Sequence, residues 1–294
     1  MRTSLRNSVA ALLGAAAIAG AGTVAGTAAA SAGKAAHNAA GTPVMVQHLT
    51  VTATASGIFD GSVSRLDPEL TEVSMRNADT GEHALHLVRL DDGVTLSQFQ
   101  HALRSGDPAA AAKIVTFYGG VNSVPPGQRW SMSIKLAAGE YVLLDSGQRA
   151  DGSPNFAHPG FIESLRVAGD PATAPPPAAN VEVNQADFAF QMPAELPRDA
   201  TLKVTNTGAQ PHEMDFLLLN PGVTVQQAMQ ALAHHTEPPG KEIDVLTAFS
   251  PGLTAWVPVH LQPGTYLVVS LFPDTSHGGI PQAAEGMVGS FQVS

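Results

Sequence analysis

The sequence predicts an all-β protein made of two tandem copies of one β-sandwich, each with a short helical insertion. Three observations carry this. Charged residues fill only 14% of the 294 positions and aromatics 5%, while glycine (28) and proline (22) are plentiful. That mix suits many short strands joined by turns better than long surface helices. Stretches such as VMVQHLTVTATA (44–55) and ELTEVSMRN (69–77) are β-branched or alternate apolar with polar, as strands do. The chain also repeats itself. Residues 72–103 align without a gap on 201–232, which sets Asn77 on Asn206, His83 on His212, and GVTLSQFQHAL (93–103) on GVTVQQAMQAL (222–232). The match resumes as GEYVLL (139–144) on GTYLVV (264–269) and closes with Gly160–Val167 on Gly286–Val293. Two copies of domain size are a duplication rather than a solenoid of short repeats.

In chain order, residues 1–32 read as a secretory signal. Arg2 and Arg6 give a positive start, VAALLGAAAIAGAGTVAG an apolar run, and Ala30-Ser31-Ala32 a cleavage site. Residues 33–43 read as a flexible mature N-terminus. The first copy is placed at 44–169 and the second at 181–294. Between them DPATAPPPAAN (170–180) is a semi-rigid Pro/Ala linker. No membrane span is expected once the signal is removed, and the protein is expected outside the cell.

The helical insertion follows from two features in each copy. Thr95 and Thr224 stand three residues before Gln98 and Gln227, the spacing of a capping box. Leu96, Phe99 and Leu103, and in the other copy Val225, Met229 and Leu232, then recur at helical spacing. Later in each copy, Ala137-Ala138-Gly139 and Gln262-Pro263-Gly264 precede Tyr141 and Tyr266. Each is expected to be a turn whose tyrosine hydroxyl anchors a sandwich corner. Pro258 places its strand at an edge or a bulge.

A net charge of −10 and no clustered basic face exclude a nucleic-acid partner. The chain has no cysteine. Disulfides, thiolate metal sites and cysteine nucleophiles are therefore excluded. Neither a G-x-S-x-G elbow nor a Gly-rich phosphate loop is present, and no other catalytic motif stands out.

ADFAF…PAELPRDATLKVTNTGAQPHEMDF (186–216), followed by PGTYLVV…GMVGSFQV (263–293), resembles a cupredoxin domain. The resemblance covers most of 181–294 and extends to 44–169 through the repeat. It implies two Greek-key sandwiches. In that family a strand ends in Asn-x-Gly and a turn leads to the first histidine ligand, which Asn206, Gly208 and His212 match. The last hairpin then brings together Cys, His and Met. Here Ser270, four residues after Tyr266, holds the cysteine place. Gln282, Ala283 and Ala284 stand where the second histidine is expected, and Met287 matches the methionine. A blue-copper centre needs the thiolate, so the resemblance implies the fold without that centre. Multicopper oxidases also need His-x-His pairs, and this chain has none.

Two ligand sets remain. His212, Met287 and His277 could hold copper without a thiolate. In the first copy His83, Asp145 (four after Tyr141) and His158 could hold zinc, with Phe161 in the methionine place. The leading expectation is a secreted, non-enzymatic binding protein without a cofactor, whose partner is extracellular or in the cell envelope. Copper and zinc binding are the alternatives.

Overall fold

The computed structural model describes residues 46–59, 65–105, 108–149, 151–171, 173–234, 236, 238–274, 276–277 and 279–294. The signal and the flexible N-terminus expected from the sequence lie outside the described residues. Strands β1 (Gln47–Thr54), β2 (Gly57–Phe59), β3 (Arg65–Leu66), β4 (Leu70–Asn77) and β5 (Leu85–Leu90) lead to helices α1 (Leu96–Arg104) and α2 (Pro108–Ala112). Strands β6 (Val115–Phe117), β7 (Arg129–Lys135), β8 (Gly139–Asp145) and β9 (Ile162–Val167) complete the first copy. The second begins with β10 (Val181–Ala186), β11 (Ala189–Gln191), β12 (Glu195–Leu196), β13 (Asp199–Asn206) and β14 (His212–Leu219). Helix α3 (Val225–Ala233) follows, then β15 (Gly240–Phe249), β16 (Thr254–His260), β17 (Gly264–Val269), β18 (Pro273–Asp274), β19 (Ile280–Pro281) and β20 (Val288–Val293).

The local devices read from the sequence are formed. In α1 the Gln98 amide donates to Thr95 Oγ1 and Gln98 Oε1 accepts from the Thr95 amide; Thr224 and Gln227 do the same in α3. Tyr141 Oη donates to Ala137 O at 2.9 Å and accepts from Ala137 N at 3.1 Å, and Tyr266 does likewise with Gln262 at 2.8 and 3.0 Å. Asn77 and Asn206, the paired residues of the repeat, do the same work. Each donates from Nδ2 both to the turn after it (Gly81 O, Gln210 O) and across to a neighbouring segment (Val124 O, Phe249 O). One expectation is corrected. Met229 is exposed, and Ala228 takes the buried place on α3, beside Val225 and Leu232. The helix is turned so that the i+3 rather than the i+4 residue meets the sheet.

The copies do not hang apart on the linker. One eight-stranded sheet runs through both, in the order β11-β10-β13-β16-β7-β4-β1-β2. The join is β7 against β16, antiparallel, through Ile134↔Ala255 and Ser133↔Trp256. These two strands are counterparts in the repeat, each preceding a tyrosine-corner strand. The strand of Pro258 is not at an edge as expected: β16 lies between β13 and β7, and Pro258 stands beyond its short pairing with β7, so on that side the missing N–H breaks no ladder. The facing five-stranded sheets, β3-β9-β8-β5-β6 and β12-β20-β17-β14-β15, also meet through counterparts. Tyr118 bridges Phe249, the Gly119 amide donates to Ala248 O at 2.9 Å, and the Ser250 amide donates to Phe117 O at 3.0 Å. Antiparallel pairing of equivalent edges is the self-complementary arrangement of a two-fold dimer, here within one chain. It also removes two exposed edges.

The core follows the same plan. A single apolar cluster lies between the sheets and runs through both copies, from Leu49, Val73, Met132 and Leu143 to Val204, Phe216, Val257 and Phe291. Outside it, α1 packs Phe99 and Leu103 on Val88, Val142 and Leu144, and α3 packs on Leu217, Leu219 and Leu267. Cutting the chain within 173–180 should leave the two halves associated in gel filtration under native conditions. Separation into two half-sized species would contradict the shared sheet.

Candidate functional site

The ends of β14, β17 and β20, with the loop before β20, assemble the place where the resemblance puts copper. His212 opens β14 and is fully buried. Its Nδ1 donates to Gln282 Oε1 at 2.8 Å. The same oxygen accepts from Ser270 Oγ at 2.7 Å, and Ser270 Oγ accepts from the Glu213 amide at 3.2 Å. Gln282 is oriented by its own Nε2, which donates to Pro211 O at 2.9 Å. Met287 is buried; its amide donates to Gln282 O at 2.9 Å and its carbonyl accepts from the Ser270 amide at 3.3 Å. On the other side of the ring, Asp187 Oδ1 lies 3.2 Å from His212 Nε2 without hydrogen-bond alignment. Gly208 fits beside it because a Cβ there would stand 2.6 Å from Nε2 and 2.4 Å from Asp187 Oδ1. Burial drives the His212 pKa below its ordinary value, against smaller opposing pulls from Gln282 and Asp187. The imidazole is neutral, with its proton on Nδ1.

The first copy uses the same frame with different charges. The Ala84 amide donates to Asp145 Oδ1 at 3.1 Å, as its counterpart Glu213 donates to Ser270. The Gly147 amide adds a second bond to Oδ1 at 2.8 Å, and Asn155 Nδ2 donates to Oδ2 at 3.0 Å. His83 Nδ1 pairs with Asp145 Oδ2 in a short contact, and Nε2 lies 3.2 Å from Asp79 Oδ2. The Phe161 ring stacks on His83 at 6.3 Å between centroids. Burial works against a charge on His83, yet the two carboxylates outweigh it and hold the pKa above the ordinary value. Where burial favours the neutral form of His212, the two acids beside His83 favour its charged form.

The predicted ligands are thus only partly brought together. His83 and Asp145 touch, but His158 does not join them: its Nε2 pairs with Ser153 Oγ at 2.9 Å. Asn155 takes that place, the counterpart of Gln282, and the sequence reading missed it. The signal available was an amide side chain six residues before Phe161, as Gln282 stands five before Met287. His277 lies away from the His212 network. It is largely exposed and pairs through Nδ1 with Asp274 Oδ2 at 2.7 Å. A blue-copper ion needs a thiolate and two imidazoles with free ring nitrogens. Ser270, Gln282 and a Nδ1 already committed to Gln282 do not supply them, and neither do Asp145 and Asn155. The residues present do not fit that centre in either copy.

No family model and no curated protein matches the chain. Solved structures do. A multicopper oxidase is 13% identical, over 85% of this chain and 89% of that one, with a TM-score of 0.24. The Cu-containing nitrite reductase of Thermus scotoductus is 13% identical, over 85% and 62%, with a TM-score of 0.25. Auracyanin A of Chloroflexus aurantiacus, a "blue" copper protein, is 12% identical, over 41% and 99%, with a TM-score of 0.28. Two expectations stand corrected by these neighbours. They are copper proteins and two of them are enzymes, so the readings of a non-enzymatic chain and of a chain without cofactor are withdrawn.

The two networks have opposite pH signatures. A raised histidine pKa contributes stability that is present below the unfolded value of about 6.5 and is lost as pH rises through the folded value. His83 is of this kind. A lowered one contributes stability present above about 6.5 and lost as pH falls through the folded value, as for His212. In urea titrations from pH 5 to 9, His83→Gln should flatten the alkaline decline in stability and His212→Gln the acid decline. An unaltered slope in either variant would contradict the assigned charge. The fold is cupredoxin-like, and the chain lacks the blue-copper cysteine.

Proposed function

We propose that this chain is an exported protein of two tandem Greek-key sandwiches that acts by binding in the extracellular space or cell envelope, with both blue-copper places closed by protein hydrogen bonds. One observation carries the second part. Gln282 Oε1 accepts from both His212 Nδ1 and Ser270 Oγ, so a single amide answers the two polar groups that would otherwise face a metal. A buried polar group left without a partner costs about 1–3 kcal/mol, and this arrangement leaves neither one open. Export is supported by the leader pattern of residues 1–32.

The test uses the untagged protein recovered from culture medium, whose first residue the leader reading expects to be Gly33. Copper(II) is titrated into it and into His212→Ala. The reading expects the same copper stoichiometry and affinity in both, with His212→Ala less stable by about 1–3 kcal/mol because Gln282 Oε1 loses one of its two buried donors. Loss of one equivalent of copper in His212→Ala would overturn it. A protein found only inside the cell would remove the export half.

One observation favours a second reading, in which a metal is held elsewhere without a thiolate. Three donors meet near the His277 loop, in a place separate from both closed networks.

A further inference from the structure

Asp274 closes the short ribbon β18–β19, paired with Ile280. Its carboxylate is fully buried. One oxygen, Oδ1, accepts from the Ser276 amide at 2.7 Å and from Ser276 Oγ at 2.5 Å. The other, Oδ2, faces His277 Nδ1 at 2.7 Å. The Gly279 amide donates to Asp274 O at 2.8 Å, which folds the loop back over its own start. Glu285 comes from the other side, at the end of the 3-10 turn Gln282–Glu285. Its Oε1 lies 3.6 Å from His277 Nδ1, and its Oε2 is buried without a hydrogen-bond partner. One ligand atom from each of Asp274, His277 and Glu285 falls within 4.8 Å of the others; among the described residues this is the group of three that does so.

We propose that Asp274, His277 and Glu285 form a site for one divalent first-row transition-metal ion, zinc(II) or copper(II). Donors on one such ion, at about 2.0–2.2 Å each, stand no more than about 4.4 Å apart. The two separations from His277 Nδ1 meet that limit, and all three ligand atoms lie within 4.8 Å of one another. The imidazole selects zinc and copper over magnesium and calcium, and two carboxylates suit a dication. Two carboxylates converge on one imidazole, and one carboxylate oxygen is buried with nothing to accept from. Burial and the neighbouring Asp274 raise the pKa of Glu285, while Ser276 and His277 pull that of Asp274 far below the ordinary range against its burial. A metal ion would take the proton's place between His277 Nδ1 and Asp274 Oδ2 and answer the idle Glu285 oxygen. His277 is the exposed member, so the outer coordination positions open to solvent. The backbone link from Gln282 to Met287 ties this loop to the closed His212 network, but no side chain is shared between them.

The test is calorimetric titration of the untagged protein with zinc(II) and separately with copper(II) at pH 7.5, repeated on His277→Ala, Glu285→Gln and His212→Ala, each first checked for native circular dichroism. The proposal expects one ion per chain with a Kd below about 10 μM, an affinity at least about tenfold weaker in His277→Ala and in Glu285→Gln, and no change in His212→Ala. With copper(II), the electron paramagnetic resonance spectrum should show one coordinating nitrogen that disappears in His277→Ala. No stoichiometric binding of either ion, or binding equally tight in His277→Ala and Glu285→Gln, would overturn the proposal. Binding lost in His212→Ala alone would overturn both it and the closed-network reading.

Discussion

The sheet ends at His83 and His212 are governed by one constraint: a buried imidazole needs partners for its ring nitrogens. His83 and His212 are each almost fully inaccessible, and each opens the segment that follows the Asn-anchored turn. In a copper protein of this fold a metal would answer them. Here side chains answer both ring nitrogens of His83 and the Nδ1 of His212, while His212 Nε2 has no aligned hydrogen bond, and the two sites use different solutions. His212 Nδ1 is matched by the neutral Gln282 amide, which also accepts from Ser270, and burial lowers the His212 pKa. His83 is matched by carboxylates, which raise its pKa and favour the charged form. The frame that makes both possible is identical. The amide after the histidine donates into the side chain four residues beyond the corner tyrosine, Asp145 or Ser270. At the Ser270 place the first end carries the acid Asp145, which with Asp79 raises the pKa of His83.

The strand pairings between residues 46–171 and 173–294 show how a chain without disulfides closes its sheet edges. Each copy presents the same two edge strands, and equivalent strands meet: β7 with β16, and the segment after β6 with β15. The apolar core then continues across the join instead of ending twice. Polar groups are placed at this join as well. Asn122 Nδ2 donates to the buried Asp215 at 3.1 Å, and Phe117 N donates to Ser250 Oγ at 2.9 Å. A hydrogen-bonded join is easier to align than a purely apolar one, because its partners fix the register.

Much of this was legible in the sequence, and the parts that were not have physical reasons. Local chemistry declares itself. Thr-x-x-Gln is a cap wherever it precedes an apolar helical pattern, and a tyrosine two residues after a turn glycine finds the turn's backbone. Both held in both copies. The meeting of β7 with β16 was not legible, since alternating apolar residues show that a strand has a buried face but not which edge it pairs with. Ala228 in place of Met229 failed for a related reason, because i+3 and i+4 residues share a helix face and only the neighbouring sheet decides between them. The site was read least well. Ser270, Asp145 and Gln282 were found because they occupy positions counted from Tyr266, Tyr141 and Met287. Asn155 and Glu285 sit in loops with no period to count along, and histidines nearby, His158 and His277, drew attention instead.

The central claim is that protons and hydrogen bonds now stand at both places where this fold would hold blue copper. It is tested most directly by 15N nuclear magnetic resonance of the histidine rings at pH 7. The account predicts that His212 is neutral with its proton on Nδ1, and that His83 carries protons on both nitrogens. A His212 ring protonated on Nε2, or a neutral His83, would contradict it.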